Sequence, residues 1–190
     1  MSIAPDELRT LGNPTLLQRP KTAFFCSREY PLSAERPTFL WAMEQRYRNR
    51  CVLSGFHSRL EQTVFRYLLQ GEQQPIVYVL GRGIQPNLRL EYGPEIADNR
   101  LLFVTPFEPD VRSITQETAD IRNLLIAELA EAFFVPYAAP GGNLEQLLLS
   151  EAVRGKPVFT LDLPENQVLL AQGARVWHSG VLGNARGAGT

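Results

Sequence analysis

Short apolar segments without polar alternation recur along this chain, separated by amphipathic stretches of about 10–15 residues, and this pattern constrains the fold more than any other feature. Residues 76–80 read IVYVL and residues 100–105 read RLLFVT. A strand with one solvated face alternates apolar and polar residues, so continuous apolar runs mark strands covered on both faces. Helical stretches between such strands make βαβ crossovers and place helices on both sides of a parallel sheet. The expected fold is α/β, a doubly wound, mostly parallel sheet of six to seven strands in a single domain.

Element by element, strands are predicted over 22–27, 51–54, 76–80, 100–105, 132–137 and 158–161, with an edge strand at 175–177. A helix capped by Ser33 runs to about Asn49, with Pro37 in its first turn and Phe39, Leu40, Met43 and Tyr47 on one face. Helices follow over 59–70, weakly over 88–97 across Gly93-Pro94, from the Thr115 cap to about 131, over 144–153 and over 165–172. Residues 1–20 are an N-terminal segment, 21–180 the domain, and 181–190 a Gly-rich tail expected to fray.

Composition narrows the chemistry. Hydrophobic residues make up 44% and charged residues 21% of 190 residues, as in a folded protein, and the net charge of −1 excludes a uniformly basic nucleic-acid coat. The charge is uneven: residues 1–60 carry nine basic and five acidic groups, residues 61–120 five and nine. Only Lys21 and Lys156 among the 19 cations are lysines, and arginine suits bidentate phosphate contacts. No apolar run approaches the roughly 20 residues of a membrane span. With Asp6 and Glu7 near its start and no apolar core, the N-terminus does not read as a secretory signal, so a cytoplasmic protein is expected. Cys26 and Cys51 read as buried thiols, and His57 and His178 lack metal-ligand spacing, so neither a metal nor a cofactor is expected.

In a doubly wound sheet ligands bind beyond the carboxyl ends of the strands. Four strand-to-helix loops there carry residues suited to anions: Ser27-Arg28, Ser54-Gly55-Phe56-His57-Ser58-Arg59, Gly81-Arg82-Gly83, and Pro140-Gly141-Gly142-Asn143. Glycine lets backbone approach an anion, and a helix N-terminus offers free N–H groups. None of these loops matches G-x-G-x-x-G or G-x-x-x-x-G-K-[ST], which disfavours a standard dinucleotide fold and a P-loop kinase.

Taken in order, these residues resemble a known family. The run RNLLIAELAEAFFV from Arg122, the turn Gly141-Gly142-Asn143-Leu144 and EAVRGKPVF from Glu151 are similar to three successive motifs of the DNA-processing protein A (DprA/Smf) family. Cys26-Ser27-Arg28 looks like its G-S-R turn, Leu53-Ser54-Gly55 through Glu61 like its V-S-G-G-A-R-G-I-D, and VLGRGI from Val79 like its V-L-G-(T/C)-G-(L/I). Asn166, Leu169, Gly173 and Ala174 are similar to its N-x-L-I-x-x-G-A. The resemblance spans roughly residues 20–178. Departures are Cys26 for a glycine, Phe56-His57-Ser58-Arg59 for Gly-Ala-Arg-Gly, Glu61 for Asp and Leu124 for a second arginine. The Pro-Gly-Gly turn also resembles the related lysine decarboxylase-like phosphoribohydrolases. Within these 190 residues, the winged-helix and helical flanking domains of many family members are not expected.

The resemblance implies a Rossmann-like domain that binds single-stranded DNA through phosphates and helps load a recombinase, without catalysis. Transferred by position, its binding residues are Ser27, Arg28, Ser54, Gly55, Gly81, Arg122, Asn123, Gly142 and Asn143. From the loops themselves, Arg59 and Arg82 join the phosphate-neutralising arginines, His57 and Gly141 join the binding set, and Phe56 is expected to stack a base. Two alternatives stand beside this one: a nucleotide sensor acting through a partner or a homodimer, and a hydrolase of nucleotide N-glycosidic bonds using Glu145 or Glu61.

Overall fold

The computed structural model describes residues 7–180; residues 1–6 and 181–190, including the expected fraying tail, lie outside the described residues. Its strands are β1 (Arg9–Gly12), β2 (Lys21–Phe24), β3 (Cys51–Ser54), β4 (Ile76–Val79), β5 (Leu101–Thr105), β6 (Ala132–Phe134), β7 (Val158–Thr160) and β8 (Arg175–Val176). Its helices are α1 (Glu35–Tyr47), α2 (Arg59–Leu69), α3 (Asn87–Glu91), α4 (Gly93–Ala97), α5 (Gln116–Leu129), α6 (Asn143–Leu148) and α7 (Gln167–Ala171). All eight strands join one sheet in the order β1-β5-β4-β3-β2-β6-β7-β8.

Every pairing is parallel except that of β1 with β5, where Arg9 faces Thr105 and Gly12 faces Leu102. From β2 the chain works outward through β3 and β4 to β5, then α5 returns it to β6 on the other side of β2. The order therefore reverses between β2 and β6, where Thr22 sits opposite Ala132 and Phe24 opposite Phe134. Such a switch point opens a crevice, because the flanking loops leave toward opposite faces.

The doubly wound parallel fold is as expected, with eight strands instead of six to seven. The unforeseen one is β1, whose four residues RTLG bury only Leu11 and carry no strand pattern. It exists because β5 offers an unpaired edge. Gly12 is required there: at φ +112° an added Cβ would lie 2.2 Å from the Leu101 carbonyl oxygen.

Two apolar layers cover the sheet. On one, Phe24, Trp41 and Phe134 stack with ring centroids 4.3–6.1 Å apart, beside Leu60, Val64 and Leu68 of α2. On the other, Leu125, Ile126 and Ala127 of α5 close over Val77, Val79, Leu102, Val104 and Phe133. Each fully buried large side chain contributes about 1.5–3 kcal/mol, so the two layers account for most of the driving force.

Helix α1 departs from its sequence reading. Ser33 does not cap it; Ser33 lies in a 3-10 turn over Leu32–Ala34, and the N-cap is Ala34 without a side-chain bond. Met43 and Tyr47 are 51% and 78% exposed, whereas Thr38, Trp41, Ala42, Glu44 and Gln45 are buried. The inward face is turned because its polar members satisfy themselves locally. Thr38 Oγ1 donates to the Ala34 carbonyl at 2.7 Å, Gln45 Nε2 to the Trp41 carbonyl at 3.3 Å, and Glu44 pairs with Arg48. Trp41 supplies the apolar area that decides which side packs.

Trp41→Ala is expected to lower stability by about 3–5 kcal/mol and Tyr47→Ala by less than about 0.5 kcal/mol, measured by urea unfolding. The reverse ranking would restore the face read from the sequence.

Candidate functional site

The loops after β2 and β6 are stitched together across the switch point. Ser27 N–H donates to the Tyr137 carbonyl at 3.1 Å, and Ala139 N–H donates to Ser27 Oγ at 2.8 Å. These bonds floor one side of a pocket of about 370 Å³, walled also by the β3–α2 loop, α5 and the start of α6.

The β3–α2 loop turns sharply. Ser54 Oγ accepts from Phe56 N–H at 3.0 Å, and Phe56 adopts φ +44°. Ser58 then caps α2, accepting from Glu61 N–H at 3.2 Å. Glu61 completes the capping box and reaches beyond it. Its Oε2 accepts from the backbone N–H of Ser58 at 2.8 Å and of His57 at 2.7 Å, while Oε1 accepts from Cys26 N–H at 2.9 Å. One buried carboxylate thus ties the loops after β2 and β3 to one helix N-terminus. Burial pushes the Glu61 carboxyl above its ordinary value, against the three N–H bonds and the Arg122 charge, which favour the ionised form.

Arg122 reaches the pocket from the middle of α5. It is 4% exposed, and its Nε and Nη2 both donate to Asn123 Oδ1 at 3.1 Å. The room it occupies is glycine-made: a Cβ on Gly55 would lie 2.7 Å from Arg122 Nε, and one on Gly81 3.5 Å from Nη1. Among the described residues neither Arg122 nor Arg28 forms an ion pair with a carboxylate. Burial pulls the Arg122 pKa down and the Glu61 charge pulls it up, and a guanidinium stays ionised in any case. A charge kept from water without a paired carboxylate is costly, and an anion in the pocket removes that cost.

Elsewhere in the same pocket Arg28 Nη2 lies 2.8 Å from His57 Nε2. Because guanidinium only donates, Nε2 accepts and the imidazole is neutral. Burial, then the Arg122 and Arg28 charges, hold the His57 pKa below its ordinary value.

Of the sequence-predicted residues, Ser27, Arg28, Gly55, His57, Arg122, Asn123 and Asn143 line this one pocket. Ser54 is fully buried as a turn residue, and Gly81 lies behind Arg122. Arg59 is exposed on the first turn of α2 and Arg82 is half-buried; neither lines the pocket. Phe56, expected to stack a base, is 1% exposed, its ring centroid 4.7 Å from Phe65 and 5.0 Å from Tyr78, and it offers no face to a ligand. The Gly141 and Gly142 amides, expected to hold phosphate, are committed to Glu145 Oε2 at 2.6 Å and the Ala139 carbonyl at 3.0 Å. Sequence reasoning missed Gln116 and Ala119, which line the pocket two turns and one turn of α5 before Arg122 and Asn123. It also missed the structural use of Glu61, although Ser58-x-x-Glu61 is a capping-box signature.

Chemically the pocket is rich in donors, with Glu29 the one lining carboxylate not engaged by backbone. Both oxygens of Glu61 are engaged by backbone, and those of Glu145 by Gly141 N–H and by Gln172 Nε2 at 3.0 Å. The Cys26 thiol at its edge is pushed up by burial first and by the Glu61 charge second, which keeps it protonated. Among the described residues no three His, Cys, Asp or Glu side chains gather as a metal site, and no helix is long and apolar enough to cross a membrane.

No protein-family model and no curated protein sequence matches the chain. Solved structures that share its fold include two of DNA processing protein A. One is DNA processing protein A from Helicobacter pylori, with a TM-score of 0.74 over 97% of this chain and 88% of that one at 20% identity, a protein described for its single-stranded DNA binding mode. The other is DNA processing protein A from Streptococcus pneumoniae, with a TM-score of 0.71 over 94% of this chain and 65% of that one at 21% identity.

Glu61→Ala strands three backbone N–H groups and is expected to cost about 3 kcal/mol or more in urea unfolding. His57 adds a pH dependence. Its folded pKa lies below 6.5, so in the interval between the two values the unfolded chain binds more protons. Wild-type stability therefore falls as pH drops below about 6.5, and in His57→Gln that component of the slope is absent.

Proposed function

We propose that this chain, which has the fold of DNA processing protein A, binds single-stranded DNA by taking a backbone phosphate into the switch-point pocket. The observation that carries the reading is Arg122, a buried guanidinium that forms no ion pair with a carboxylate among the described residues and lines the same pocket as Arg28. Two guanidiniums give bidentate, charge-assisted contacts, and Ser27, Asn123 and Asn143 add neutral hydrogen-bonding groups. DNA passing over the mouth would meet Arg59 at the start of α2. A recombinase partner belongs to the same proposal and rests on the family resemblance; a cytoplasmic setting rests on the reading of the sequence, and a homodimer goes with the nucleotide-sensing alternative.

A second reading is favoured by the pocket's size. About 370 Å³ lies within the usual range for small ligands, so a free nucleotide is the alternative occupant. The hydrolase alternative loses support because both candidate carboxylates are engaged and Glu145 does not line the pocket.

Fluorescence anisotropy with an oligothymidylate of about 20 nucleotides tests the proposal. Affinity is expected to fall between about 50 and 200 mM salt, with a log–log slope of about −0.7 per neutralised phosphate. Arg28→Ala and Arg122→Ala are each expected to weaken binding roughly tenfold or more and to flatten that slope by about 0.7. Gly55→Ala, which displaces Arg122, should act like the latter while both arginines remain. Affinity unchanged by salt overturns the DNA reading, and thymidine monophosphate binding more tightly than the oligonucleotide replaces it with the nucleotide reading.

A further inference from the structure

The Arg28–His57 contact has no counterpart elsewhere in the pocket. Arg122 is held by Asn123, whose amide cannot change charge, whereas Arg28 is held by an imidazole, which can. We infer that His57 is a positioning residue that holds Arg28 as a neutral hydrogen-bond acceptor and takes up a proton when a phosphate draws Arg28 away. The inference rests on the proposed phosphate site and adds a regulation to it.

The bond at 2.8 Å fixes the direction of the argument. Guanidinium has five N–H donors and no acceptor, so Nε2 must present its lone pair to Arg28 and cannot carry a proton while it does. A phosphate oxygen is a charged and stronger acceptor than an imidazole nitrogen, so Arg28 transfers to it. His57 Nε2 is then released beside a new negative charge. It binds one proton from solvent, becomes a cation and donates to the same phosphate. No other bond is made or broken.

The charged groups around the ring agree with this sequence. Arg28 and Glu29 come from the β2–α1 loop, Glu61 from α2 and Arg122 from α5, while Gln116, Asn123 and Asn143 are neutral. Glu61 cannot act as the ring's counter-ion, because its oxygens are turned to backbone N–H groups, including that of His57 itself at 2.7 Å. Glu29 lines the same pocket but makes no hydrogen bond or ion pair with the ring, so the two arginine charges oppose protonation until a phosphate draws Arg28 away. His57 is half-buried and lines the pocket, so a proton from solvent can reach it. The exposed His178 lines none of the pocket and provides a control.

Titration calorimetry with the oligothymidylate near pH 7, at constant salt and in buffers of different ionisation enthalpy, counts the protons; thymine does not titrate there. The expected result is a net uptake approaching one proton, retained in His178→Gln and lost in His57→Gln. Anisotropy from about pH 8 to 6 is expected to show wild-type affinity rising by up to about tenfold per pH unit, with His57→Gln flat. Zero uptake by wild type, which needs no variant, overturns the inference while leaving the binding reading intact, as does uptake undiminished in His57→Gln. Failure of the oligonucleotide to bind overturns the binding reading itself and this inference with it.

Discussion

A single buried carboxylate holds together the edge of this molecule at the switch point. Glu61 accepts backbone hydrogen bonds from Ser58, His57 and Cys26, and so joins the N-terminus of α2 to its own loop and to the loop beyond β2. Burying the charge is unfavourable, but three N–H donors, the positive end of α2 and the nearby Arg122 offset that cost. With the two loops tied, Ser27 can meet Ala139 across the switch point, and the crevice acquires a fixed shape.

That shape gives the pocket its chemistry. Arg122 can be buried because Gly55 and Gly81 leave room for it and because Asn123 accepts from two of its nitrogens. Of the two carboxylates that line the pocket, Glu61 is spent on backbone N–H groups and Glu29 makes no ion pair with Arg122. The result is a donor-lined cavity whose electrostatics favour an anion. The donors come from side chains on three separate βα units, and the Gly141 and Gly142 amides are turned inward to satisfy their own loop.

Helix α1 shows how polar residues can mislead a pattern reading. Thr38 and Gln45 bond to carbonyls one turn earlier on their own helix, so they carry no desolvation debt into the core and can share a face with Trp41. Met43 and Tyr47 are left outside. Hydrophobic spacing ranks residues by side chain alone and takes no account of this local satisfaction. The same blindness applies to Phe56: its place in a polar loop suggested a ligand contact, yet its left-handed backbone swings the ring into the aromatic cluster of Phe65 and Tyr78.

By itself the sequence determined the parallel doubly wound sheet, because unalternated apolar runs can be buried only between two helical layers. It also determined the extents of β3 and α2 and the Thr115 cap of α5, since these depend on neighbouring residues alone. Ser27, Arg28 and His57 were legible as anion-seeking groups by residue type and loop position, whereas Arg122, inside a helix, was pointed to only by the family resemblance. Tertiary structure alone decided which of them meet, why Arg82 and Phe56 stand apart, and why β1 exists at all. Those outcomes turn on distances between residues far apart in the chain. A few tenths of an ångström at Gly55 decide whether Arg122 fits, and local pattern carries no information about that contact.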